Sequence, residues 1–211
     1  MKTSTKTIIS FGFYLLSALG SSLIVKANIG LDCFFAFAKA LSTITDIKVG
    51  TLVALINFVF VIIYIILSRG KLVHVYIIQV IALVMIGSVI NLLVYHVWNL
   101  FVLESYILRV AFLICGVLIS AISIGVITVL HVITFPIEAT CYWLERLGVV
   151  KFIVSRYGLD FVFLIGSLAL SYFFKIEFFI REGTLITLIM FSSTVTLTKT
   201  FIQKNFDFAI R

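Results

Sequence analysis

Charge is what this sequence has least of. Only 12% of its 211 residues are Asp, Glu, Lys or Arg, against about 25% in an ordinary soluble domain. So few charges cannot cover a water-facing surface, and a soluble globular fold is excluded. An apolar content of 63% equally excludes a disordered chain. The chain is also poor in chemically reactive groupings. Cys33, Cys115 and Cys141 form no CxxC pair and no zinc spacing, so they read as small membrane-packing residues. Three widely spaced histidines make no metal cluster. GxSxG, HExxH and GxxxxGK[ST] are all absent, and no nucleophile with a neighbouring base stands out. The expectation is a protein that is not an enzyme and uses no cofactor and no metal.

What is present is long apolar sequence, with a mean hydropathy of +1.27. The apolar runs are continuous rather than alternating, which points to helices and away from a β-barrel. Six segments have the length and character of spans: Ile8–Lys26, Thr51–Ser68, Leu72–Val94, Tyr106–His131, Gly158–Phe174 and Thr184–Phe201. Two further stretches, Leu31–Ile44 and Pro136–Leu147, are apolar but too short to cross. The fold class expected is an all-α polytopic transmembrane bundle. Lys2 and Lys6 followed by an apolar run and small residues imitate a signal peptide. Cleavage is not expected, because the repeat described next needs residues 18–44.

The net charge of +7 comes from Lys and Arg at the ends of apolar runs. Membrane orientation and contact with anionic lipid account for it more simply than nucleic acid does. With the N-terminus in the cytoplasm, ten Lys and Arg lie inside and six outside. This predicts a bacterial plasma (inner) membrane protein with both termini cytoplasmic. The stretch Tyr95–Tyr106 has no Lys or Arg and carries Trp98, so it reads as an aromatic interface belt.

The two halves align without a gap at an offset of 103, over residues 18–44 and 121–147. Ala18 falls on Ala121, Ile24 on Ile127, Ala36 on Ala139 and Leu41 on Leu144; Asn28 falls on His131 and Cys33 on Pro136. Each half reads as span, short helix, span, span, which divides the chain into three-span units at 1–104 and 105–211. A three-span unit ends on the side opposite to its start, so the second copy is expected upside down. Inverted repeats of this kind characterise secondary transporters, whose sites lie between the halves. The same arrangement also serves as a plain stable bundle. Small residues at Ser17/Ser21, Ala18/Ser22, Gly116/Ser120 and Ala121/Gly125 suit close helix packing.

The short helices are the most informative elements. Phe34, Phe37, Leu41 and Ile44 make one apolar stripe, with Asp32 and Lys39 on another face. In the second copy, Pro136 suits a first helical turn and Glu138 favours the positive dipole end there. Two placements fit: flat in the membrane interface, or dipping inward with N-termini aimed at a cavity. Among polar residues within spans, Asn57 is mid-way along the second, while Gln79 and Asn91 are on the third. Interhelical hydrogen bonds are their ordinary use. Asp160 reads as a first-turn acid of the fifth span or as a cavity-facing cation or proton acceptor. His131 titrates near neutral pH and pairs with Asn28 in the alignment. The hydroxyls of the last span either bond back to their own helix or line a polar path.

Several of these segments resemble the YczE/YyaS/YitT-type bacterial integral membrane proteins. The resemblance is carried by Lys26-Ala-Asn-Ile-Gly30 and by Asp46-Ile-Lys-Val-Gly50, which opens the second span. Tyr157-Gly-Leu-Asp160 and Arg181-Glu-Gly-Thr184 add to it. The family pattern of a proline followed two residues later by an acid is kept as Pro136 and Glu138. In the first half the matching positions hold Cys33 and Phe35. The resemblance implies a multi-pass plasma-membrane protein, of a family often guessed to be transporters and without a well-established activity.

The function expected is therefore a small-solute secondary transporter of unknown substrate. Its candidate substrate-binding residues are Asn28, Cys33, Asn57, His131, Pro136, Glu138 and Asp160. The rival readings are a substrate-binding membrane subunit of a larger energised transporter and a non-transporting membrane partner protein. The partners expected are a bilayer with anionic lipid and a small solute, with a homodimer permitted by small-residue faces and no nucleic acid.

Overall fold

The computed structural model describes the backbone of residues 3–130 and 134–210, and the side chains of 5–130 and 134–205. The described residues form helices and no strand: α1 (Thr3–Ala27), α2 (Cys33–Thr45), α3 (Val49–Leu67), α4 (Val73–Leu92), α5 (Tyr106–Leu130), α6 (Pro136–Arg146), α7 (Phe152–Phe174) and α8 (Glu182–Ile210). All but α2 and α6 are long and apolar enough to cross a membrane, six in total. Large apolar side chains such as Ile66, Phe161, Phe173 and Leu185 stand exposed around the bundle. In water this would be untenable, whereas lipid tails are as apolar as the side chains themselves.

Element boundaries repeat more closely than the residues do. The starts of α2 and α6, and of α3 and α7, are each separated by 103 residues, the offset of the sequence alignment. α4 and α8 do not follow this register.

The core is built on the crossing of α1 with α5, the most extensive helix pair of the fold. A Cβ added at Gly20 would sit 2.6 Å from the Gly116 carbonyl oxygen, and one at Gly116 would sit 2.7 Å from that of Gly20. Each glycine thus lets the opposite backbone in where no side chain fits. Beside this contact the Ser120 hydroxyl donates to the Ser17 carbonyl at 3.3 Å, joining two positions that are themselves 103 apart. Around this centre α2 packs on α7 and α6 on α3 across the halves, while α4 packs on α1 and α8 on α5 within them. The pattern is not symmetrical, because α3 packs closely on α4 whereas α7 and α8 make no comparable contact among the described residues.

Two expectations are corrected. The fifth span begins at Phe152, six residues before Gly158, because Arg156 is ion-paired inside the protein and so does not end the helix. The third span does not stop at Val94; the chain continues through a π-helical turn at Leu93–Val97 and a 3-10 turn at Trp98–Leu100. The aromatic residues there are tied to protein: the Tyr95 hydroxyl accepts the Val49 N–H at 3.1 Å, and Trp98 Nε1 donates to Ser22 Oγ at 2.8 Å.

Candidate functional site

The start of α2 is fixed by local chemistry. Asp32 is its N-cap, accepting the Phe35 N–H at 2.7 Å. The turn before it is held from the far half of the chain. Leu31 N–H donates to the Phe179 carbonyl, Gly183 N–H to the Ile29 carbonyl, and Thr184 Oγ1 to the Leu31 carbonyl at 2.7 Å. Gly30 takes φ of +134° with Thr184 N against it, a place only glycine fits. In the second half α6 starts on Pro136, with Phe135 as an N-cap lacking a side-chain bond and Glu138 in the first turn. Thr140 and Trp143 then tie α6 to α3, through the carbonyls of Phe60 and Leu67.

The N-terminal ends of both short helices line one cavity of about 200 Å³. Of the two placements open from sequence, the inward one is therefore observed. The lining is mostly apolar, and its residues come in pairs separated by the repeat offset of 103: Ser17 with Ser120, Ser21 with Ile124, Asp32 with Phe135, Phe34 with Ile137, Phe35 with Glu138, Val53 with Arg156, and Asn57 with Asp160. α4 and α8 complete the wall with Leu83, Ile86, Thr187 and Phe191.

Charge is concentrated on one side of this space. Arg156 pairs with Asp160 one helical turn on, and its Nε stands 3.6 Å from Glu138 Oε1. The other carboxyl oxygen of Glu138 is buried with no hydrogen-bond partner among the described residues. Asp32 has no basic residue in direct contact among the described residues. Removal from water pushes its carboxyl up to about 6; nearby Asp160 adds to the shift, while the Phe35 N–H bond and Arg156 oppose it. Burial, then Asp160 and Asp32, hold the Cys33 thiol up at about 11, so that thiol is un-ionised at neutral pH.

The seven sequence candidates divide. Cys33, Asn57, Glu138 and Asp160 line the cavity together. Pro136 is fully buried at the first turn of α6 and is not part of the lining. Asn28 ends α1 in a left-handed conformation with φ of 49° and is likewise not in the lining. His131 lies outside the described residues. Asp160 is not a first-turn acid, since α7 starts eight residues earlier, and its partner Arg156 keeps it in the wall. Sequence reasoning missed Arg156, taken only as an orienting charge, and Asp32, taken only as part of a polar face. Two signals point to them: an Asp directly before an apolar helical run is an N-cap signature, and Arg156 and Asp160 have the i,i+4 spacing of a helical ion pair.

Six apolar helices of spanning length, with a mostly apolar cavity that holds a cluster of charged side chains, define a multi-pass helical membrane protein. The chain belongs to DUF6198, a family of unknown function that matches residues 4–200. No curated protein and no solved structure matches it.

Proposed function

We propose that this chain is a secondary transporter of a small solute, made of two inverted three-span units at 1–104 and 105–211 and working by alternating access. It would sit in a bacterial plasma membrane with both termini cytoplasmic, and it performs no catalysis. The observation that carries the reading is the paired lining of the cavity. Seven positions of the first half and their counterparts 103 residues on enclose the same space. A site on the axis between inverted repeats is the one place that two mirror-related gates can both reach.

The asymmetry of packing supports the same reading. α3 is closed on α4 while α7 stands apart from α8. A transporter of this design seals one flank while the other is open, and exchanges them by rocking the halves about the α1–α5 contact. A cavity with charged walls also counts against a sealed, non-transporting partner protein.

The test is two-sided access. Ser21 lines the cavity. A Ser21→Cys variant lacking the native Cys33, Cys115 and Cys141 is reconstituted into vesicles and exposed to a membrane-impermeant maleimide from one side at a time. Labelling from both sides is expected. Labelling from one side only, or from neither, overturns the proposal.

A further inference from the structure

Within that transporter reading, which this inference deepens, we infer that the cavity binds a small organic cation: an ammonium group on an apolar body, its charge received by Asp32, Asn57 and Glu138 and its body by Phe34, Phe35, Phe135 and Phe191. The first argument is charge. The lining holds three carboxylates, Asp32, Glu138 and Asp160, against one guanidinium, Arg156. No second basic residue occurs among the described lining residues. The N-terminal ends of α2 and α6 also face the space, each equivalent to roughly +0.5 charge. Counted in full, both ends together still leave the site about one charge negative. An anionic solute would have to overcome this excess, and a cation cancels it.

The second argument is what the wall lacks. Asn57 is 6% exposed and faces the cavity. Its amide nitrogen donates to the Val53 carbonyl at 2.9 Å, while its amide oxygen accepts nothing among the described residues. Glu138 Oε2 is buried without a partner among the described residues. The open amide oxygen of Asn57 and this carboxyl oxygen are both acceptors, so the group that complements them is a hydrogen-bond donor. Asp32 accepts only from its own helix, and it is the one carboxylate of the three that Arg156 does not touch. An ammonium has three donors and no acceptor, the complement of this wall. Four phenylalanines, Phe34, Phe35, Phe135 and Phe191, stand in an otherwise aliphatic and hydroxyl-bearing remainder of the lining, and ring faces attract cations as well as burying apolar groups. A volume of about 200 Å³ exceeds the roughly 150 Å³ that accommodates a benzene ring in a closed apolar cavity.

Three probes of one size separate the possibilities: benzylamine, benzyl alcohol and benzoate, titrated calorimetrically against the purified full chain in detergent at pH 7.5. Benzylamine is expected to bind at least about tenfold more tightly than either of the others. Asp32→Asn, which keeps the N-cap, is expected to weaken benzylamine by about tenfold or more, and Glu138→Gln is a second variant should the first not fold. Asp46→Asn, at an exposed position outside the lining, is expected to leave affinity unchanged. Equal affinity for the alcohol, preference for benzoate, no binding of any probe, or wild-type affinity in both carboxylate variants each overturns the cation assignment. Two-sided labelling of Ser21→Cys requires no ligand, so these outcomes leave the transporter reading standing. One-sided labelling would remove the transporter reading and leave the binding data intact.

Discussion

At the scale of single residues, the cavity wall stores unfavourable charge that pH can relieve. Asp32 is held at about 6 in the folded protein, above the ordinary 3.8, mainly by removal from water. The folded state therefore binds this proton more tightly than the unfolded state does. The stabilisation from protonating Asp32 is complete below about pH 4 and lost as pH rises through about 6. Asp32→Asn, neutral and an equally good cap, is expected to be more stable than wild type at pH 7.5 by about 1–3 kcal/mol. The gap should close towards pH 4 in SDS unfolding from mixed micelles followed by circular dichroism; a gap that is constant with pH refutes the argument. Arg156 works in the opposite sense. Its side chain and those of Glu138 and Asp160 keep only 24–32% exposure. Arg156→Met therefore leaves two carboxylates facing each other in a poorly hydrated space, and about 1–3 kcal/mol of destabilisation is expected. Adding Glu138→Gln and Asp160→Asn should recover most of the loss, as the same unfolding assay would show. These two residues also mark how far the site was legible in the sequence. Asn57, Glu138 and Asp160 stood out because polar groups within apolar runs are costly. Arg156 and Asp32 did not, since a charge near the end of an apolar run has the same sequence signature whether it faces lipid headgroups or turns inward to a partner.

At the scale of elements, the six spans and two short helices were readable because a run of apolar residues needs no partner to declare itself. The ends of helices were less so. Phe152–Tyr157 looked like a loop because of Lys151, Ser155 and Arg156. In the fold Glu145 of α6 accepts the Phe152 N–H at 3.1 Å, and Arg156 finds its acids, so the helix extends through the polar stretch. The inward path of α2 and α6 could not be told from a flat one. An amphipathic stripe fits a membrane interface as well as it fits a protein groove, and only the tertiary bonds of Thr140, Trp143 and Thr184 choose between them. Small residues marked both α1 and α5 for close packing, but neither their crossing on each other nor Gly20 was singled out. It is the sharper probe. Gly20→Leu has no room against the Gly116 backbone, and loss of folded protein is expected in fluorescence-detected size-exclusion chromatography. Gly12→Leu lies on the same helix, where nothing approaches within 4 Å, and should be neutral or slightly stabilising, since leucine outranks glycine in helices by roughly 0.5–1 kcal/mol. Equal behaviour of the two variants would mean that the crossing is not the centre of the fold.

At the scale of the whole molecule, the register of 103 extends well beyond the stretch in which the sequence displays it. The residue-level match fades after position 44, yet α3 and α7 still start in register, and Asn57 and Asp160 still line the same cavity. Geometry holds the register where residue identity does not, because each half has to present the same backbone path to the shared site while its side chains serve different ends. At the pairs Val53 with Arg156 and Asn57 with Asp160 the second half supplies the charge, while at Asp32 with Phe135 the first half does. In the proposed repeat, such divergence would hide the duplication from sequence comparison and at the same time give the site its polarity. The proposed inversion would follow from parity. Between Asp46 and Val149, which are exposed positions 103 residues apart, the chain has three helices of spanning length, α3, α4 and α5. If all three cross and neither α2 nor α6 does, the two positions lie on opposite sides of the bilayer. Asp46→Cys and Val149→Cys, each in a background without the native cysteines, should thus react with an impermeant maleimide from opposite sides of oriented vesicles. Reaction of both from the same side would mean that a short helix crosses or a long one does not, and the two halves would then run parallel, with no second gate for the cavity to open through.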